Sequence, residues 1–95
     1  MSIPSRPTMR PLNFLCTAPQ AKEVSLVGDF NGWNPTSHPM KQGPDKVWIL
    51  QIELKLGHHR YAFRVDGVLT LDPWAQGITR NDQNERVSLV PVSGR

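Results

Sequence analysis

A chain of 95 residues with 38% hydrophobic content makes one small domain, of a size that buries roughly 60–65% of its unfolded surface and has no room for a large enclosed active site. The formal net charge of +3 comes from lysines and arginines scattered from Arg6 to Arg95 without a run, a pattern that argues against nucleic-acid and membrane partners. A single cysteine, Cys16, makes no intrachain disulfide; the Pro-rich start carries no apolar signal region and no apolar run is long enough to cross a bilayer, so the expected compartment is the cytoplasm.

Strand signals recur at short spacing between Pro, Gly, Asn and Asp, and no segment keeps a helical period for three turns. Residues 1–10 read as a flexible tail, residues 11–92 as a single all-β domain and residues 93–95 as a short C-terminal tail. Leu12, Phe14 and Cys16 alternate in a first strand, which makes Cys16 a small buried hydrophobe, and residues 23–27 give a second. The turn-forming run Gly28-Asp29-Phe30-Asn31-Gly32-Trp33-Asn34-Pro35 follows, and it carries a large aromatic out of the sheet. Two readings of Trp33 stand side by side: an exposed, rigidly mounted binding platform, or a plug folded back over the end of the core.

His38-Pro39-Met40-Lys41 reads as at best a short edge strand, because Pro39 donates nothing to a ladder. Residues 46–55 form the clearest strand: Trp48, Leu50, Ile52 and Leu54 share one face, which makes Trp48 core, while Gln51, Glu53 and Lys55 share the other. Beyond Gly57, His59, Tyr61, Phe63 and Val65 alternate against Arg60, Ala62 and Arg64. Asp66-Gly67 is a two-residue hairpin signal that returns residues 68–71 antiparallel. Residues 72–85 read as irregular and residues 86–92 as the last strand. About seven short antiparallel strands in this length suit an immunoglobulin-like β-sandwich of the early-set type.

Catalysis has little support. Asp29, Asp45, Asp66, Asp72 and Asp82 fall mainly in turns, where local backbone hydrogen bonds explain them, and no pair is placed on a shared cleft. Adjacent His58 and His59 point to opposite faces of a strand and His38 stands alone, so no metal or other cofactor is expected. A sugar site needs a flat aromatic to stack on a C–H face, with amide or charged groups at the margin for the hydroxyls. Trp33 with Asn31 and Asn34 supplies that chemistry. Trp74 is a second aromatic outside any strand, read first as a ring packed over the sandwich end and second as a further platform.

The motifs Lys22-Glu23-Val24-Ser25-Leu26-Val27-Gly28-Asp29-Phe30-Asn31-Gly32-Trp33-Asn34, Val47-Trp48, Tyr61-Ala62-Phe63-Arg64-Val65-Asp66-Gly67 and Asp72-Pro73, in that order, resemble a family 48 carbohydrate-binding module. That family includes the glycogen-binding domain of the AMP-activated protein kinase β subunit and the N-terminal domains of branching enzymes and isoamylases. The resemblance covers roughly residues 12–92, and His38-Pro39-Met40 with Asp72-Pro73-Trp74-Ala75 leans towards the branching enzymes, which tend to have Tyr in place of Trp74. It implies an immunoglobulin-like sandwich that binds α-1,4-linked glucan without catalysis. The family's first stacking tryptophan falls on Trp33, whereas its lysine falls on Ala62, its second tryptophan on Leu69 and a late hydroxyl-gripping asparagine near Glu85.

The resulting expectation is an α-glucan site of Trp33, Asn31, Asn34, Arg64 and Leu69, with Trp74, Ala62 and Glu85 as lesser candidates and Arg64 standing in for the missing lysine. Partners would be α-glucan and a glycogen-active enzyme or kinase-type chain. The alternative is a structural or docking sandwich whose sugar site has decayed, as the changes at 62, 69 and 85 suggest.

Overall fold

The computed structural model describes residues 9–93, and over them the chain is all-β with every strand pair antiparallel. Among the described residues there are eight strands: β1 (Met9–Thr17), β2 (Val24–Gly28), β3 (Lys41–Gln42), β4 (Val47–Lys55), β5 (Gly57–Val65), β6 (Val68–Thr70), β7 (Gly77–Arg80) and β8 (Arg86–Val92). One sheet has the order β1-β4-β3; the other runs β2-β5-β8-β7, with β6 also paired to β5. The two-sheet arrangement is the expected immunoglobulin-like β-sandwich. No described helix is long and apolar enough to cross a membrane.

The inner faces meet as the alternation predicts. Phe14, Leu26, Trp48, Leu54, Tyr61 and Phe63 belong to one buried cluster, and burying each such side chain is worth about 1.5–3 kcal/mol. Tyr61 sits edge-on between Phe14, at 4.9 Å between ring centroids, and Phe63, at 6.0 Å. Trp48 is 7% exposed, and its indole Nε1–H donates to the Ala18 carbonyl at 2.9 Å, so the one polar atom of the ring is satisfied. Cys16 is buried as expected, and burial pushes its thiol pKa up.

The Asp66-Gly67 turn closes as a two-residue hairpin, Val65 opposite Val68, with positive φ at both turn residues (49° and 85°) as a type I′ turn demands. Its Asp66 carboxylate does more than turn the chain: Oδ1 accepts the backbone N–H groups of Lys22 and Glu23, each at 2.9 Å, which pins the hairpin to the chain just ahead of β2. Asp29 likewise reaches across the fold, its Oδ2 accepting the Arg60 N–H at 3.0 Å. The local hydrogen bonding expected of these two carboxylates is corrected to ties between elements distant in sequence.

Two boundaries also differ. β1 begins at Met9 rather than residue 11, because its register with β4 continues to Met9 opposite Lys55; the remainder of the expected tail, residues 1–8, lies outside the described residues, as do residues 94–95. The stretch 72–85 contains β7, which pairs with β8 from Gly77 opposite Leu89 to Arg80 opposite Arg86. β7 alternates in burial but shows no hydrophobic pattern in the sequence, because it lies at the sheet edge and its one large apolar residue, Ile78, is exposed. The expected edge strand at 38–41 is β3, shifted to Lys41–Gln42 and preceded by a single bridge between Ser25 and Pro39.

Candidate functional site

β2 is buried at all five positions, although an outer-sheet strand is expected to alternate. Leu26 faces the core between the sheets, while Val27, one residue on, points outward and forms a second cluster with Ala62 and Val87. Trp33 and Leu69 pack on that second cluster and cover it.

The loop that delivers Trp33 is built from its own backbone. The Gly28 carbonyl accepts the N–H groups of Asn31 at 3.1 Å and Trp33 at 2.9 Å, and Gly32 and Trp33 both take the left-handed conformation, φ 65° and 60°. That conformation costs an aromatic L-residue roughly 1–2 kcal/mol, so the hydrogen bond and the packing of the ring hold it there. Gly28 admits no side chain, since a Cβ would meet the Phe30 ring and stand 2.6 Å from the Arg60 carbonyl oxygen. Asn31 locks the inner side: Oδ1 accepts the Gly28 N–H at 3.1 Å, and Nδ2 donates to the Leu26 carbonyl at 3.1 Å and to His38 Nδ1 at 2.8 Å.

The facing wall is the β7–β8 turn. Asn81 Oδ1 accepts the N–H groups of Gln83 and Glu85, both at 2.9 Å, and its Nδ2 donates to Glu85 Oε1 at 3.0 Å. Between the two walls lies a cleft of about 210 Å³, bounded by Val27, Gly32, Trp33, Arg64 and Leu69 on one side and by Asn81, Asp82, Gln83 and Glu85 on the other. Arg64 lies across the strand pair from Leu69; its Nη1 donates to the Gly67 carbonyl at 3.0 Å, while its Nε is buried with no protein partner. A buried donor left without an acceptor costs about 1–3 kcal/mol, a cost that falls on the sealed Nε and not on the part of Arg64 that borders the cleft.

Of the residues singled out in the sequence, Trp33, Arg64, Leu69 and Glu85 are brought to this one cleft. Ala62 lies under it, fully buried. Asn31 and Asn34 do not line it: the Asn31 amide is spent inside the loop, and exposed Asn34 uses Oδ1 to accept from the N–H and Oγ1 of Thr36. Asn31 therefore mounts the platform, while Asn34 shapes the turn that follows it. Asn81, Asp82 and Gln83 were missed, because their segment read as irregular; the Asn-Asp-Gln-Asn run ahead of a strand was the available signal for a hairpin turn. Trp74 is corrected too: at 85% exposure it is not packed over the sandwich end, because Asp72 Oδ1 holds its backbone N–H at 2.9 Å in a turn that carries the ring outward.

The histidines are less scattered than their spacing implied. His38, His58 and His59 all border one hollow of about 520 Å³, and His59 lies between Asp29, 3.3 Å from Nδ1, and the Lys55 carbonyl, 2.8 Å from Nε2. His38 is bonded to Asn31, so the expectation that it stands alone is corrected. Among the described residues no three His, Cys, Asp or Glu side chains are grouped to hold a metal ion.

A profile of carbohydrate-binding module 48, the isoamylase N-terminal domain, matches residues 4–75. The chain belongs to this family. The family 48 match takes in the Trp33 side of the cleft, with Arg64 and Leu69, and stops short of the Asn81–Glu85 side. Relatives include a 1,4-alpha-glucan branching enzyme of Xanthomonas campestris pv. campestris (strain 8004), 39% identical over 70 residues, which is 68% of this chain and 10% of that protein. The 1,4-alpha-glucan branching enzyme of Mycobacterium bovis (strain BCG / Pasteur 1173P2) is 46% identical over 72 residues, 70% of this chain and 10% of the enzyme. That of Cupriavidus pinatubonensis is 45% identical over 56 residues, 55% of this chain and 8% of the enzyme. This family 48 chain thus matches about 10% of the length of the first two relatives.

Proposed function

We propose that this module binds α-1,4-linked glucan, without catalysis, in the cleft between Trp33 and the β7–β8 turn. The observation that carries the reading is the pairing of an apolar wall, Trp33 and Leu69 on a buried Val27–Ala62–Val87 base, with a polar wall of Asp82, Gln83 and Glu85 and an arginine at the end. A glucose unit has the matching two-sided character, with C–H faces for the ring and hydroxyls for the amide, carboxylates and guanidinium. The names of the branching-enzyme relatives support α-glucan as the class of sugar.

With one ring at the cleft, the affinity falls in the high-micromolar to millimolar range, roughly −4 to −5.5 kcal/mol. An NMR titration with maltoheptaose tests this: the Trp33 indole signal and the backbone signals of Leu69 and Gln83 shift together and saturate. Trp33→Ala removes the shifts at Leu69 and Gln83. If those two residues stay still at about 20 mM maltoheptaose, well above the expected range, the cleft is not the site. The second reading, a docking sandwich within a longer enzyme, draws on Leu69, which stands where the resemblance calls for a second tryptophan, and on the small share of each relative that the chain covers.

A further inference from the structure

Trp74 is the most exposed large hydrophobic residue described, yet the backbone beneath it is held by hydrogen bonds from several directions. Asp72 Oδ1 accepts the Trp74 N–H at 2.9 Å, and the Asp72 carbonyl accepts the Ala75 N–H at 3.1 Å. The same aspartate is fixed from two other strands: Oδ2 accepts the Tyr61 hydroxyl at 2.5 Å, and its N–H donates to Ser88 Oγ at 2.9 Å. Pro73 fixes one more backbone dihedral, and Ala75 packs on the main core. An aromatic ring offered to solvent on a hydrogen-bonded mount has less backbone freedom to lose on binding.

The surroundings of the ring say what kind of ligand fits. Trp74 stands between two hollows at the seam between the sheets, one of about 220 Å³ bordered by Asn13, Leu15 and Gln76, the other of about 530 Å³ bordered by Thr17 and Thr70. Two carboxamides and two hydroxyls around one flat indole are the uncharged donors and acceptors that sugar hydroxyls exchange with, and Leu15 adds an exposed apolar contact. Neither hollow shares a lining residue with the Trp33 cleft, which lies on the outward face of the second sheet.

We propose that Trp74, with Asn13 and Gln76, is a second α-glucan subsite, separate from the Trp33 cleft, so that the module engages long or branched glucan at two points. The ligand class rests on the glucan reading given above; the location does not depend on Trp33. Two weak sites on one rigid body reinforce each other on a polymer that reaches both, and give no such gain on a chain too short to do so.

The three tryptophan indole N–H signals of the whole chain separate the outcomes in one maltoheptaose titration. Trp33 and Trp74 are expected to shift and saturate with different midpoints, while buried Trp48 stays put. Trp74→Ala should lower affinity for glycogen by about a hundredfold, the low end of avidity gains, and leave the Trp33 midpoint for maltoheptaose unchanged. Trp74→Tyr should restore most of the loss, and equal thermal midpoints of the variants exclude unfolding as the cause. A Trp74 signal that stays silent while Trp33 responds overturns the second subsite and leaves the cleft standing; the reverse overturns the cleft alone, and two silent signals overturn both. A Trp74 signal that moves with protein concentration in the absence of sugar makes this face a contact between copies and also overturns the subsite.

Discussion

Among the described residues there are two hydrophobic clusters, and they differ in what covers them. The inner one, around Leu26, Trp48 and Phe63, is closed by the second sheet, so each side chain is matched by another across the layer. The outer one, Val27, Ala62 and Val87, has no sheet above it and is covered by Trp33 and Leu69, whose far sides face the cleft. Burial means stability in the first case. In the second it means a seat: three small residues form a base on which a large ring packs while still bordering the cleft.

Breaking the inner cluster gives the largest effect. Trp48→Ala removes a ring buried to 7% exposure and the bond to Ala18, and should cost about 3–5 kcal/mol in urea denaturation, with loss of cleft binding only as far as the fold is lost. Breaking the mount of the outer cluster comes next. Asn31→Ala strands the Gly28 N–H and the Leu26 carbonyl, should cost about 2–3 kcal/mol, and should weaken maltoheptaose binding although residue 31 does not line the cleft.

The inner cluster also carries a pH signature that the outer one lacks. Burial first, and then the hydrogen bond to the Asp72 carboxylate, raise the pKa of Tyr61 far above the ordinary tyrosine value. A group with a raised folded-state pKa contributes its full stability below the unfolded value and loses it as pH climbs beyond. Stability should therefore decline by about 1.4 kcal/mol per pH unit above about pH 10, where the unfolded chain gives up this proton. Tyr61 is the chain's one tyrosine, so tyrosinate absorbance should appear only together with unfolding, and Tyr61→Phe should flatten the decline. The smallest effect sharpens the contrast from the other side: Leu69→Trp should tighten maltoheptaose binding by about 0.5–1.5 kcal/mol if its ring joins Trp33 over the outer cluster. A stable variant with no gain would favour the docking reading.

Legibility in the sequence followed the same division. Alternation at residues 48, 50, 52 and 54 was enough to place Trp48 in the core, and the Asp66-Gly67 turn was enough to set Arg64 beside Leu69. What alternation does not reveal is a second layer: Ala62, on the outward set of β5, is buried with Val27 and Val87 beneath Trp33 and Leu69. Ala62 shows the consequence, since a lysine there would have to emerge from beneath the ring. The amides of Asn31 and Asn34 bond within the loop, because an amide in a tight turn meets nearby backbone before it meets a ligand. The polar wall at 81–85 was illegible because turn residues carry no periodicity.

The pairing of β1 with β4 has a consequence in time. The ladder runs from Thr17 opposite Val47 to Met9 opposite Lys55, with β2, the Trp33 loop and β3 all lying in between. The second sheet, by contrast, contains two hairpins between neighbours in sequence, β5 with β6 and β7 with β8. Closing the long loop spends chain entropy before any contact returns it, which puts refolding in the millisecond-to-second range usual for non-local β topologies. During synthesis at roughly 5–20 residues per second, β1 leaves the ribosome seconds ahead of β4, its ladder partner among the described residues, and stays unpaired with it until β4 follows.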